Sequence, residues 1–533
     1  MRNFQTTFGP VLLAAVLAGG GVAFDARAAE APARPPVDTD VFGGYQQIPG
    51  YKPDPLAWPD VPSGKAYNSI SGKALMRYVD EQAAISRRQR DNGNPQYWGR
   101  IVGTQSDVDS AEWLLAHFKR LGLTDTRNQT IAMFDPQCVP KMWEVSAESG
   151  GAARKLESAT PPYGAMATDG KVVDLPVVYV GLGSDADYAG RDVKGKAVLM
   201  IREQFDYSIG PADVVKRAVG KGAAAIFSTD LRGGNAKALA YRTETGIPTF
   251  NLGTADGVAL RDMIGKASAD APPRVKIRLD ATWDSNQKTF LTWGTLPGAT
   301  DETIYLVAHR DGWYDAAGDN AVGVALILGI AEHYAKIPRE QRRRTMVFIG
   351  LDGHHHTPGS YGRDWLFHHR ERLFGKTALF MNAEHPAQIL AHTGSRGRTE
   401  QTIPVWWHAG STTRPQLTKI ALDAFHEFGV PLWTERRNVS GDLNPFWRFT
   451  PGVVLQSSNY IHMHTDEDSP DIVSSAGLES ATRSYARIID EVNKLDLKDL
   501  QRPPEIGAFR PRIDPVVCAA WVKDSSVPCK PKG

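Results

Sequence analysis

Thr303–Asp311 reads TIYLVAHRD, and this stretch decides the fold. Its first part, Thr303–Ala308, is a short apolar run of the kind that forms a buried strand. His309-Arg310-Asp311 follows directly, and Gly318-Asp319-Asn320 comes soon after. The same arrangement recurs further along the chain. Thr345–Leu351 (TMVFIGL) runs into Asp352-Gly353-His354-His355-His356. Ala378–Met381 (ALFM) runs into Asn382-Ala383-Glu384-His385, and Val453–Gln456 comes shortly before His462-Met463-His464-Thr465. Open α/β sheets build their sites in the crevice beyond the carboxyl ends of their strands. Imidazoles and carboxylates delivered to one crevice are ligands that zinc prefers.

Outward from this core, strands and helices alternate from Thr289 to about Asp496, which implies parallel βαβ units. Ala321–Lys336 is apolar through its middle and predicts a buried helix behind His309 and Asp319. Pro415–Phe428 and Ala476–Leu495 predict further helices, as does Ala111–Leu121, capped by Ser106 or Asp107. Val172 to about Trp283 reads as an inserted module of short strands, among them Val177–Val180, Ala197–Ile201, Ala224–Ser228 and Val275–Leu279. The expected fold is α/β: a mixed, mostly parallel sheet with helices on both faces, interrupted by a β-rich insertion. The expected division is 67–171 for the first part of the main domain, 172–283 for the insertion, 284–497 for the rest of the main domain and 498–533 for a tail.

At 533 residues the chain is too long for one ordinary core. Its 61 basic residues nearly cancel its 60 acidic ones, and nothing points to a nucleic-acid or anionic-membrane partner. Arg2, the apolar run Gly9–Phe24 and Ala26-Arg27-Ala28 read as a secretory signal over residues 1–28. A proline-rich arm over 29–66 follows, and no later stretch is apolar enough to span a membrane. The expected location is periplasmic or secreted, which permits disulfides. Cys518 and Cys529 bracket a short loop and are expected to pair, leaving Cys138 as an inert thiol. Trp313-Tyr314, Trp406-Trp407-His408 and Trp433 are candidates for lining a pocket, although packing alone also accounts for each. His368-His369 reads as a solvated helix face.

The order of these motifs resembles the co-catalytic zinc peptidase family that includes secreted bacterial aminopeptidases and glutamate carboxypeptidases. The matching text is Ala308-His309-Arg310-Asp311 with Gly318-Asp319-Asn320, Asn382-Ala383-Glu384, Asn459-Tyr460 to His464-Thr465, and Asp468-Ser469-Pro470-Asp471. Arg100–Thr104 resembles the family's Arg-x-x-Gly-Thr, and Ser440-Gly441-Asp442 with Pro445-Phe446 resembles its Ser-x-Asp and Pro-Phe segment. The insertion resembles a protease-associated domain. The resemblance implies a site for two zinc ions and a peptide substrate. Asp319 would bridge the ions, His309 and Glu384 would complete one, and His464 with a residue of the Asp352–His356 stretch would complete the other. Asp311 would orient His309.

One departure matters. The family has Glu-Glu after the second of these strands, a general base and then a ligand, whereas this chain reads Asp352-Gly353-His354-His355-His356. In one register His354 replaces the base and His355 the ligand. In the other, His354 is the ligand and Asp352 is the nearest carboxylate to serve as base. The first register keeps a functional side chain at both positions and is preferred. The expected activity is zinc-dependent hydrolysis of a peptide or related amide bond, of aminopeptidase or carboxypeptidase type. The rivals are a receptor-like protein with a degenerate site, as in the transferrin receptor ectodomain, and a hydrolase of a non-peptide amide or ester.

Overall fold

The computed structural model describes residues 62–133, 135–202, 212–229, 234–240, 245–268, 270–355, 361–391, 398–410, 414–435, 439, 441–457, 461–500, 515–516, 518–527 and 529. The signal reading and all of the arm up to residue 61 lie outside them, as do His356, Gly359-Ser360, Ser440 and Asn459-Tyr460. Among the described residues, no helix is long and apolar enough to cross a membrane.

The main sheet has eight strands. In spatial order they are Leu432–Glu435, Val405–Ala409, Gly452–Ser457, Thr377–Glu384, Thr303–His309, Thr345–Leu351, Lys288–Leu296 and Thr124–Ala132. The four from Gly452–Ser457 to Thr345–Leu351 run parallel. These are the four apolar runs of the sequence, and they share their carboxyl ends. Both faces of the sheet are covered, which is why these strands read as near-continuous apolar runs. Along Thr303–His309 the side chains alternate between two cores. Ile304, Leu306 and Ala308 face one, and Tyr305 and Val307 face the other.

The helix Val322–Ala335 fills the first core, with Leu326, Ile327, Leu328 and Ile330 at 1% exposure or less. A fully buried side chain of this size is worth roughly 1.5–3 kcal/mol, so the segment is buried on every side instead of being amphipathic. Gly323, in its first turn, lets the helix approach the strand Thr377–Glu384, because a β-carbon there would collide with the Ala383 carbonyl. The helices Gly72–Asp91, Pro415–Glu427 and Ser475–Val492 complete that face. The helix expected at Ala111–Leu121 runs Gln105–Arg120 and starts after Thr104. Ser106 and Asp107 do not cap it; they accept hydrogen bonds from the backbone of Ile101 and Gly103 in the preceding turn.

The opposite core takes in the C-terminal tail. Cys518 and Cys529 form a disulfide. Between them Trp521 is fully buried and donates Nε1–H to the Ala132 carbonyl at 2.9 Å. The Ser525 carbonyl accepts the Ala132 N–H at 2.6 Å. The tail therefore covers the end of the edge strand Thr124–Ala132, which would otherwise offer unpaired backbone groups. Cys138 is buried and takes no part in a disulfide. His368 and His369 are half-buried, and His369 stacks on Trp365 at 4.1 Å, so this pair is not the solvated face expected.

A second sheet has seven strands: Ala152–Lys155, Gln137–Ser149, Arg274–Asp284, Val173–Tyr179, Ala197–Ile201, Ala225–Thr229 and Thr249–Leu252. The strand Gln137–Ser149, which lies before the expected boundary at Val172, pairs along its length with Arg274–Asp284 and forms a hairpin with Ala152–Lys155. The signal was hidden because this hairpin alternates polar and apolar residues like any exposed strand.

Candidate metal centre

His309, Asp319, His355, Glu384 and His464 meet in the crevice at the carboxyl ends of the parallel strands, and all five are at most 5% exposed. His309 ends one strand and Glu384 the neighbouring one. His309 Nε2 lies 3.1 Å from Asp319 Oδ1 and 3.5 Å from Glu384 Oε1. The other oxygen of Asp319, Oδ2, lies 3.1 Å from both His355 Nε2 and His464 Nε2. Asp319 thus turns one oxygen to each half of the site. The donor atoms form overlapping sets, each within 4.8 Å: Asp319, His355 and His464; His309, His354 and Glu384; and, across the two, His309, Asp311 and His355.

The backbone that presents Asp319 is held from several sides. Asp468 accepts the N–H groups of Gly318 at 2.7 Å and Asp319 at 3.1 Å. Asn320 donates to the Ala383 carbonyl at 2.8 Å and accepts the His385 N–H at 2.9 Å. The Asp319–Asn320 peptide is cis. Buried Arg100 straps the adjoining loop, donating to the carbonyls of Arg310, Asp315 and Ala316 at 2.7, 2.7 and 2.9 Å.

Asp311 touches both halves. Its Oδ1 lies 3.5 Å from His309 Nδ1, while its Oδ2 accepts the His355 N–H at 2.8 Å and lies 3.3 Å from His355 Nδ1. It therefore orients His355 at least as firmly as the His309 expected. Trp313 packs its ring against His355 at 4.8 Å and His464 at 4.7 Å, shielding that half from water. A narrow cleft lined by Tyr97, Ile101, Tyr163 and Trp313 opens beside Asp311 and His355. Trp406 and Trp433 instead stack on each other at 5.8 Å, on Val405–Ala409 and the neighbouring edge strand Leu432–Glu435, and Trp407 joins the core.

His354 stacks on His309 with ring centres 4.1 Å apart. Its Nδ1 lies 3.2 Å from Asp442 Oδ1 and its Nε2 faces Glu384 Oε1 at 3.8 Å. The sequence assigns Asp442 no role beyond its place in Ser440-Gly441-Asp442, and that carboxylate is its signal. Gly441 sits at φ +68°, and a β-carbon there would crowd the Glu384 carboxylate at 3.1 Å. It lets the Asp442 loop lie against the site.

Asp352 is not in this constellation. Its carboxylate is buried against Arg310 Nη2 at 2.7 Å and accepts from Thr289 Oγ1 and from the Gly353 N–H. Arg310 pairs with Asp107 as well, at 2.6 Å. Burial, together with the Asp107 carboxylate, pushes Asp352 well above the usual range against the pull of Arg310. The strand end thus turns the side chain expected as alternative base into an internal ion pair.

The charges at the centre are coupled. Burial alone would depress His309, but Asp311, Asp319 and Glu384 outweigh it and hold the imidazole well above its ordinary value. Burial likewise opposes the charge on Glu384, yet His309 and His354 bring it down to about 2. Asp319 is held well below the carboxylate range by His355, His309 and His464, again against burial. Three buried atoms at the focus, His309 Nε2, Asp319 Oδ1 and Glu384 Oε2, lack a hydrogen-bond partner. Buried polar atoms aimed at one point without partners are what a cation site requires. The nitrogen and oxygen donor set suits zinc.

Comparison with known proteins agrees with this geometry. Residues 292–488 match Peptidase family M28. No curated protein matches the chain. Among solved structures, the zinc aminopeptidase of Bacillus subtilis superimposes with TM-score 0.57 at 18% identity, over 82% of this chain and 99% of that one. The aminopeptidase of Aneurinibacillus sp. strain AM-1 gives 0.54 at 16%, over 85% and 98%. A peptidase M28 precursor of Shewanella amazonensis SB2B gives 0.61 at 16%, over 83% and 97%. The segment 292–488, which matches Peptidase family M28, carries every one of the converging residues on the fold of the zinc aminopeptidases, and the protein is a metallopeptidase-like hydrolase.

Proposed function

We propose that the protein is an exported, two-zinc hydrolase that cleaves a peptide or related amide bond near a chain end. The observation that carries this reading is Asp319, with Oδ1 toward His309 and Oδ2 toward His355 and His464. His309, Asp319 and Glu384 would hold one ion, and Asp319, His355 and His464 the other. Bound divalent ions polarise a scissile carbonyl and lower the pKa of water.

The chain's own groups do the rest. His354 takes the proton from the attacking water and returns it to the leaving amine. Asp442 favours the tautomer with the proton on His354 Nδ1, leaving Nε2 as the acceptor on the side of Glu384. Asp311 fixes His355 through its N–H and its ring. Trp313 keeps water away from His355 and His464. Export is supported by the Met1–Ala28 reading and by the Cys518–Cys529 disulfide. The inserted unit would be a protease-associated domain.

The test pairs metal analysis of the purified protein with hydrolysis of free and N-acetylated peptides. About two zinc ions per chain with turnover of free peptides alone is the aminopeptidase outcome. Two ions without turnover of any peptide would replace this reading by the non-peptide hydrolase or the receptor-like one, and a metal-free protein would end it.

A further inference from the structure

The ligands differ in what supports them. His309 and Glu384 end strands of the main sheet. His464 rides on a loop at φ +61°, a left-handed conformation that a histidine seldom adopts. That loop is gripped from outside its own sheet. Leu239 donates its N–H to the His464 carbonyl at 3.0 Å, and Ala238 forms an antiparallel bridge with Thr465. Asp466 donates its N–H to the Lys237 carbonyl at 3.0 Å, and Lys237 returns its N–H to Asp466 Oδ1 at 2.8 Å.

The gripping segment belongs to the inserted unit and is pinned to it. Thr160 Oγ1 and Asn251 Nδ2 donate to the Ala238 carbonyl at 2.5 and 3.1 Å. Asn235 and Asp256 exchange two hydrogen bonds, Asp256 N–H to Asn235 Oδ1 at 3.0 Å and Asn235 Nδ2 to Asp256 Oδ2 at 3.1 Å. Strain in the His464 backbone persists only where its surroundings over-determine it, and here part of those surroundings comes from the insertion.

We propose that the inserted unit is a working part of the metal centre: Lys237–Leu239 fix the backbone of His464, so the ion at His355 and His464 depends on the insertion. The ion at His309 and Glu384 does not, because strand ends of the main sheet hold both ligands. Asp466 is the positioning residue of this clasp. The proposal rests on the two-ion reading above.

Metal-free wild type, Asp466→Ala, Asp466→Asn and Thr160→Val are titrated with zinc against a chelator, and with cobalt while its absorption spectrum is followed. Circular dichroism checks the fold of each. Wild type is expected to take up two ions, and Asp466→Ala to keep one while binding the other roughly 10- to 100-fold more weakly. The amide oxygen of Asp466→Asn still accepts the Lys237 N–H, so this variant should stay within about twofold of wild type. Thr160→Val, remote from the ions, should weaken the same ion in the same direction. Wild-type affinity for both ions in Asp466→Ala, or parallel loss of both, overturns the proposal. A wild type that takes up no ion overturns the two-ion reading instead.

Discussion

His309 and Glu384 stand at the ends of neighbouring parallel strands, whereas His355 and His464 sit on loops that the main sheet does not itself fix. The first half inherits its geometry from strand register. The second half must be built from further contacts: Asp311 on His355, Trp313 on both rings, and the insertion on the His464 backbone. Asp319 turns an oxygen to each half, and Asp311 touches both. The contrast teaches that a shared crevice does not make its ligands equally secure. A strand-end ligand costs little extra order, while a loop ligand needs its own network.

The strongest way to break the contrast is to remove what the halves share. Asp319→Ala should lose both ions and at least about a thousandfold in turnover, read by metal analysis and peptide hydrolysis. Glu384→Ala and His355→Ala should separate the halves, each losing a different ion and keeping the other. Were His355→Ala to empty both sites, the division drawn here would collapse.

His354 tests the boundary between ligand and base. His354→Ala should keep both ions and lose about 100-fold or more in kcat, and Asp442→Asn should lose less, about tenfold. Loss of an ion in His354→Ala would make His354 a ligand of the strand-end half, beside His309 and Glu384. His354→Glu should raise aminopeptidase turnover, since a carboxylate suffers less than an imidazole from two neighbouring cations.

Acidity sharpens the comparison next. In the metal-free protein burial would lower His355, but Asp319 and Asp311 carry it up to about 9. Below that pH the ring holds a proton that an incoming ion must displace. Zinc affinity of the loop half should therefore rise about tenfold per pH unit for one displaced proton, and level off above about 9. Chelator competition at several pH values measures the slope, and a flat profile would contradict it. Smallest of all should be Asp352→Asn. Its carboxyl is engaged by Arg310, Thr289 and the Gly353 N–H and is not among the converging groups, so metal content should not change and turnover should shift by about twofold or less.

Much of this was legible in the chain. Each parallel strand announced itself by a short apolar run, because burial on both faces leaves no place for polar residues. The histidines and carboxylates just beyond those runs were legible for the same reason, as a strand end is a position local sequence can mark. The hairpin at Gln137–Lys155 was not, because which sheet an amphipathic strand joins depends on a partner, Arg274–Asp284, far along the chain.

By itself, then, the sequence marked the candidates of the strand-end half: His309, Glu384 and Asp319, each tied to a local run. Tertiary structure decided the rest. Asp352 and His354 follow the same strand and were rivals on paper. Arg310 draws Asp352 into a buried ion pair, while Asp442 draws His354 to the site. The clasp on His464 joins segments that sequence places far apart. A buried charge or a loop ligand is settled by whichever group comes within hydrogen-bond reach, and only the folded chain fixes those distances.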